Sequence, residues 1–302
     1  MKSSSSLWPT LARVAAGLFF VVSAVAKLFS VDSFEVYIFT YGFFSLETSY
    51  LLARACIFVE VAVGIMLILG CWPRVGVGLG SVMTLLFTIF LCYAALKGRT
   101  DSCHCMGNMV QFSPVQSIVK NSMLLLALLY ARRSTKWQCR PRWYVAAPVL
   151  AAILVAVFAI SVPDNWRYGS SKEPYNAKAL SQMLSNETLS AVHGEHRVLA
   201  FVTTGCGYCQ LAADKLLSIQ RRHHLDSAAF IFVAPEPVEP ASNEVLSPSN
   251  FGYHLNRIDV DQFIAITYGQ RPLVLQLDGD SVAATYHLRN INERDISRWL
   301  TR

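Results

Sequence analysis

The chain has 302 residues, of which 53% are hydrophobic and only 15% charged, the balance of a membrane protein with a soluble part rather than of a wholly soluble or disordered chain. Its net charge of +6 divides unevenly: residues 1–163 carry 13 Lys and Arg against 5 Asp and Glu, and residues 164–302 carry 13 against 15. The positive excess therefore belongs to the apolar half and is no argument for a nucleic-acid partner.

Five apolar stretches reach or approach the length that spans a bilayer, at about 7–29, 51–70, 75–96, 115–131 and 143–162. The first reads as a retained helix, because its apolar run exceeds a signal-peptide core. The alternative is a leader ending at Ser23-Ala24-Val25-Ala26. The fourth is interrupted by Lys120, Asn121 and Ser122. Residues 132–142 (RRSTKWQCRPR) hold five Lys and Arg and no acid, the strongest cytoplasmic signal in the chain. The loop 30–50 holds Asp32, Glu35 and Glu47 with no Lys or Arg, which puts it outside. The N-terminus is then inside, while the loop 97–114 and residues 164–302 are outside, the periplasm of a Gram-negative bacterium. Lys97 and Arg99 run mildly against this orientation.

The outer loop contains Asp101-Ser102-Cys103-His104-Cys105-Met106-Gly107. A C-x-C disulfide closes a small ring that is easily reduced, which suits a relay better than a staple. The alternative is a copper or zinc site with Met106 as a further soft ligand. Residues 163–175 (PDNWRYGSSKEPY) read as a flexible tether.

Beyond the tether, Arg197 to Val202 reads as a buried strand and Gln210 to His223 as an amphipathic helix. Between them lies Thr203-Thr204-Gly205-Cys206-Gly207-Tyr208-Cys209. A helix N-terminus presents unpaired N–H groups and positive potential, which favours thiolate. Cys206 is expected to attack and Cys209, one turn inside, to resolve the mixed disulfide. The competing reading is half of a zinc site, but no second C-x-x-C exists to complete one. A strand follows at Ala228 to Val233, then a polar insertion at 235–250 and a short helix near Gln262 to Tyr268. Leu273 to Leu277 and Val282 to His287 read as a hairpin around Asp278-Gly279-Asp280, and Asn292 to Leu300 as a closing helix.

This order resembles the thioredoxin fold over about residues 172–302. The resemblance implies that Pro272 is a cis-proline facing the two cysteines; Arg271 before it departs from the small or β-branched residue more usual there. The preceding part resembles the methylamine-utilisation MauE family within the DoxX-like group, over about residues 7–165. The resemblance is carried by Ala26-Lys27-Leu28 with Phe34 and Tyr41, by Glu60 and Gly64 in an E-x-x-x-G pattern, by Cys103-His104-Cys105-Met106-Gly107, and by Lys120-Asn121. It implies a role in forming disulfides in exported proteins, and a helical bundle analogous to quinone-linked disulfide oxidases.

The expected fold is thus an α-helical transmembrane bundle, a four-helix DoxX/MauE-like core plus a fifth helix, followed by an α/β thioredoxin-like domain. The boundaries are 1–135 for the four-helix domain, 136–171 for the fifth helix and linker, and 172–302 for the thioredoxin-like domain. Glu60, about nine residues and roughly 13 Å into its helix, is a quinone-site or proton group, or else half of an internal ion pair with Lys120. Cys56 and Cys92 fall near the outer membrane face and form either a second redox pair or two buried free thiols. Cys71 and Cys139 read as reduced bystanders at the cytoplasmic ends.

The expected function is a thiol-disulfide oxidoreductase of the inner membrane. Electrons pass from exported protein thiols to Cys206/Cys209, then to Cys103/Cys105, then to a membrane acceptor such as quinone. No tightly bound cofactor or metal is expected. The alternatives are reversed flow, as a reductase or isomerase, and a metal or cofactor assembly factor.

Overall fold

A computed structural model describes residues 7–97, 113–133, 143–168, 172–185, 196–203, 205–236 and 255–301. The chain divides into two compact units, residues 1–37 with 50–162, and residues 38–49 with 163–302.

The first unit is helical: α1 (Leu7–Phe29), α2 (Val31–Phe39, whose last residues pass into the other unit), α3 (Leu46–Leu69, whose first residues belong to the other unit), α4 (Pro73–Leu96), α5 (Pro114–Ala131) and α6 (Trp143–Ile160). Helices α1, α3, α4 and α5 are long and apolar enough to cross a membrane, and α6 is a shorter apolar helix with Pro148 inside it. Their outward faces carry Leu11, Leu18, Val22, Leu85, Leu86, Ile89, Met123 and Leu126, all exposed, while Arg13, Lys27, Arg54 and Glu60 are buried. Apolar residues outside and charges inside are what a lipid solvent demands.

Two glycines explain how α1 meets α3. A Cβ on Gly64 would lie 2.7 Å from Val21 Cγ2 and 2.9 Å from the Gly17 carbonyl oxygen, and one on Gly17 would lie 2.8 Å from the Gly64 carbonyl. The backbones touch there, as small residues permit in membrane helix pairs. A core of Ala16, Phe20, Val63, Leu67, Val77, Leu128 and Ala131 closes the bundle. Arg54 ties α3 to its neighbours, its guanidinium donating to Glu35 Oε2 at 2.7 Å and to the Ser161 carbonyl at 2.7 Å. The sequence reads residues 30–50 as an outer loop. Instead α2 is a helix, and Glu35 within it is fully buried because Arg54 neutralises it.

The second unit is built on a mixed sheet. After α7 (Asp164–Tyr168) and α8 (Ala177–Leu184) come β1 (His196–Phe201), α9 (Gly207–His223), β2 (Phe230–Pro235), β3 (Leu255–Ile258), α10 (Val260–Thr267), β4 (Leu273–Asp278), β5 (Ser281–Tyr286) and α11 (Glu293–Leu300). The strand order is β3-β2-β1-β4-β5, with β1, β2 and β3 parallel and β4 and β5 antiparallel to their neighbours. Central β1 is buried on both faces, which its unbroken apolar run requires. One sheet face packs Leu199, Phe201, Ile231, Val233, Leu273 and Leu275 against Leu180 and Met183 of α8 and Phe263 and Ile266 of α10. On the other face α11 packs against β1 and α9.

The stretch 163–175 is not a free coil where it is described. Asp164–Tyr168 is helical, the Tyr168 ring meets His287 edge-on at 5.5 Å, and the Glu173 N–H donates to Thr285 Oγ1 at 2.8 Å. Asp164 is buried, 3.8 Å from the Nζ of buried Lys215 on α9. Residues 38–49 also belong to this unit. Glu293 of α11 accepts from the Leu46 N–H at 2.7 Å, and Arg222 of α9 donates to the Gly42 and Phe44 carbonyls at 3.0 and 2.6 Å.

Candidate functional site: a dithiol at a helix N-terminus

The strand β1 ends at Phe201, and the Val202 N–H still donates to the Val233 carbonyl at 2.9 Å. Thr203 then leaves the sheet, and the chain turns at Gly205, whose φ of +77° favours glycine. Cys206 sits at the N-cap of α9 with extended backbone. Its sulfur takes the place of a capping oxygen, accepting from the Cys209 N–H at 3.4 Å. The first turn of α9 carries no acid to neutralise the positive end of the helix dipole, and its last turn carries Arg221, Arg222 and His223, whose side chains complement the negative end.

The two cysteines differ. Cys206 is half-buried and Cys209 fully buried, and both are free thiols. Burial pushes the Cys206 thiol up. Hydrogen bonds from the Cys209 side chain, from the Cys209 and Tyr208 N–H groups and from the Thr203 hydroxyl outweigh it and leave the thiol lowered. Burial, joined by the hydrogen bond with Cys206, pushes Cys209 up to about 12. Such a pair offers one ready nucleophile and one protonated reserve thiol a turn away.

The antiparallel pairing of Phe201 with Leu273 brings Pro272 to the same end of the sheet as Thr203. Pro272 is buried, Arg271 is exposed, and the peptide between them is cis. Exposed Tyr208 completes this end of the unit. Sequence reasoning passed over Thr203, whose Oγ1 lies 3.7 Å from Cys209 Sγ. Its place three residues before Cys206 was the available signal.

In the helical unit the partner of Glu60 is Lys27, not Lys120. Lys27 Nζ donates to both Glu60 carboxylate oxygens, at 2.7 and 2.9 Å, and to Ser23 Oγ at 2.7 Å. Lys120 reaches the same cavity, its ammonium 5.4 Å from the Phe19 ring centroid. The cavity is about 30 Å³, lined also by Thr84, Phe87 and Asn121. That is room for one or two waters. Cys56 lies one turn before Glu60 on α3, and Cys56 and exposed Cys92 are both free thiols. Cys103 and Cys105 lie outside the described residues, as do His104, Met106, Cys139 and all of the 235–250 insertion beyond residue 236.

Residues 5–132 match the family described as methylamine utilisation protein MauE. These residues form a MauE family domain. The MauE domain and the four apolar helices make this a multi-pass membrane protein. The chain is also similar to protein TlpB of Flavobacterium psychrophilum, 25% identical over 170 residues. That match covers 53% of this chain and 46% of TlpB, so the chain spans about half the length of the curated relative it matches. No solved structure matches the chain. The E-x-x-x-G pattern of the MauE domain has a physical reading here. Gly64 lets α1 approach α3, and Glu60, one turn earlier, meets Lys27 on α1.

Proposed function

We propose that this protein is a membrane-bound thiol-disulfide oxidoreductase that forms disulfides in exported proteins. The observation that carries the reading is the asymmetric dithiol, with a lowered thiol at the N-cap of α9 and a buried, raised thiol one turn inside. The strand–turn–helix setting, with Pro272 at the same sheet end, supports a thioredoxin-like identity for residues 172–302.

In the proposed cycle a substrate thiolate attacks Cys206 Sγ of the Cys206–Cys209 disulfide, and Cys209 leaves as thiolate. A second substrate thiol displaces Cys206, so the substrate gains a disulfide and the protein holds two reduced cysteines. The Cys103–Cys105 disulfide then takes up the two electrons and two protons by the same exchange chemistry. A quinone in the bilayer is the proposed final acceptor, becoming quinol as Cys103 and Cys105 re-form their disulfide. Glu60 and Lys27, paired inside the helical unit, are assigned to packing or proton handling. In this reading the thiols work on the periplasmic face.

A relay within one chain makes Cys105→Ser accumulate an internal disulfide between Cys103 and Cys206 or Cys209, found by mass mapping of an alkylated sample. Purely intermolecular adducts, or a C-terminal dithiol that stays oxidised when both loop cysteines are absent, contradict the relay.

A further inference from the structure

Cys209 is 0% exposed, and among the described residues its sulfur has only Thr203 and Cys206 as hydrogen-bond partners. Any exchange at this site puts negative charge on that sulfur. When Cys209 resolves a mixed disulfide it attacks as thiolate. The Cys206–Cys209 bond forms, the bond from Cys206 to the substrate sulfur breaks, and the departing thiolate takes up the proton Cys209 lost. In the opposite direction a substrate thiolate bonds to Cys206 Sγ, and the electron pair of the broken disulfide moves onto Cys209 Sγ. Burial opposes the charged form in both cases. No side chain of Asp, Glu, His, Lys or Arg hydrogen-bonds that sulfur among the described residues.

What stands there is a hydroxyl. Thr203 is buried, 6% exposed, where the chain leaves the central strand. Its Oγ1 lies 3.7 Å from Cys209 Sγ, within the reach of a sulfur hydrogen bond. Its β-branched side chain has few rotamers to lose, and its backbone is held by the Cys206 N–H donating to the Thr203 carbonyl at 3.4 Å.

We propose that Thr203 is a positioning residue for Cys209, its hydroxyl donating a hydrogen bond to the sulfur whenever that sulfur carries charge, whether Cys209 attacks or leaves. This rests on the dithiol reading above and is independent of the direction of electron flow. A neutral donor suits the place, since it stabilises the thiolate without adding a charge that the reduced, protonated state would have to bury. Loss of one hydrogen bond to a charged group predicts a slowing of about 10- to 100-fold in the step that uses Cys209.

The test uses the full chain in detergent with oxidised glutathione as the probe. The glutathione adduct at Cys206 is followed by quenching and mass mapping from pH 6 to 10. In Thr203→Val the adduct should persist about 10- to 100-fold longer and its decay should need higher pH, while Thr203→Ser restores both the rate and the profile. Thr203→Ala, which also lacks the hydroxyl, should behave like the valine variant and replaces it if valine prevents folding. Wild-type decay and pH profile in the valine or alanine variant, or no rescue by serine, overturn the inference while leaving the dithiol reading intact. Absence of any adduct at Cys206 in the wild-type chain overturns both.

Discussion

The difference between the two thiols makes a quantitative prediction about alkylation. A thiol with a pKa of 9.0 is about 1% thiolate at pH 7, and Cys206, lowered from that value, exceeds it. Cys209, pushed up to about 12, has a thiolate fraction near 10⁻⁵ at the same pH. The thiolate ratio is therefore at least about 1,000. A more basic thiolate is a better nucleophile, by about 0.4–0.5 logarithmic units per pKa unit, which returns a factor of about 16–32 over three units. Cys206 should still react at least about thirtyfold faster, before the full burial of Cys209 is counted. The assay is sub-stoichiometric iodoacetamide on the reduced full chain, with fragmentation mapping of the peptide that contains both cysteines. As pH rises beyond the ordinary thiol range the selectivity should narrow. The fold should lose stability over the same interval, since a raised pKa favours the protonated thiol and that contribution is lost as pH climbs toward 12. Equal labelling at pH 7, or preferential labelling of Cys209, would refute the argument.

Two further outcomes follow from packing. Lys27→Met leaves Glu60 buried without its partner and should cost about 3–5 kcal/mol, read as a lower thermal midpoint in detergent, whereas Lys27→Met with Glu60→Leu should recover much of the loss. Glu293→Gln weakens the contacts to the Leu46 N–H, Arg222 and His223, so the Leu46 amide should exchange hydrogen about tenfold faster; unchanged protection would deny Glu293 that role.

The dithiol and its setting were legible because their signals are local. Two cysteines with two residues between them, an apolar run before them and an amphipathic run after them fix a strand, a turn and a helix within about 25 residues. The apolar helices were legible for the same reason, and Glu60 was marked by its depth. What escaped depends on distant partners. Lys120 is a reasonable reach for Glu60 along the sequence pattern, but Gly17 and Gly64 bring α1 close enough for Lys27 to pair first. Asp32 and Glu35 make α2 read as a loop until Arg54, nineteen residues after Glu35, neutralises the buried acid. Strand β3 is four residues with no apolar alternation, and only its parallel pairing with β2 makes it a strand. The tether reads as coil from its Gly, Ser and Pro, yet Asp164 and Tyr168 are held by Lys215, His287 and Arg289, all more than 45 residues away. Thr203 was overlooked because a threonine at a strand end is ordinary until the sulfur it faces is known.

The most direct test of the central claim, that Cys206 exchanges disulfides with exported proteins and Cys209 is its partner thiol within the chain, is to compare cysteine variants of the full chain in living cells after acid quenching. Cys209→Ser should accumulate mixed disulfides between Cys206 and other proteins, because the lone Cys206 thiolate still attacks disulfides and the thiol that would release the adduct from within the chain is gone. Cys206→Ser should accumulate none, since the remaining thiol is buried and held protonated. Equal trapping by the two variants, or trapping by neither, would contradict the account.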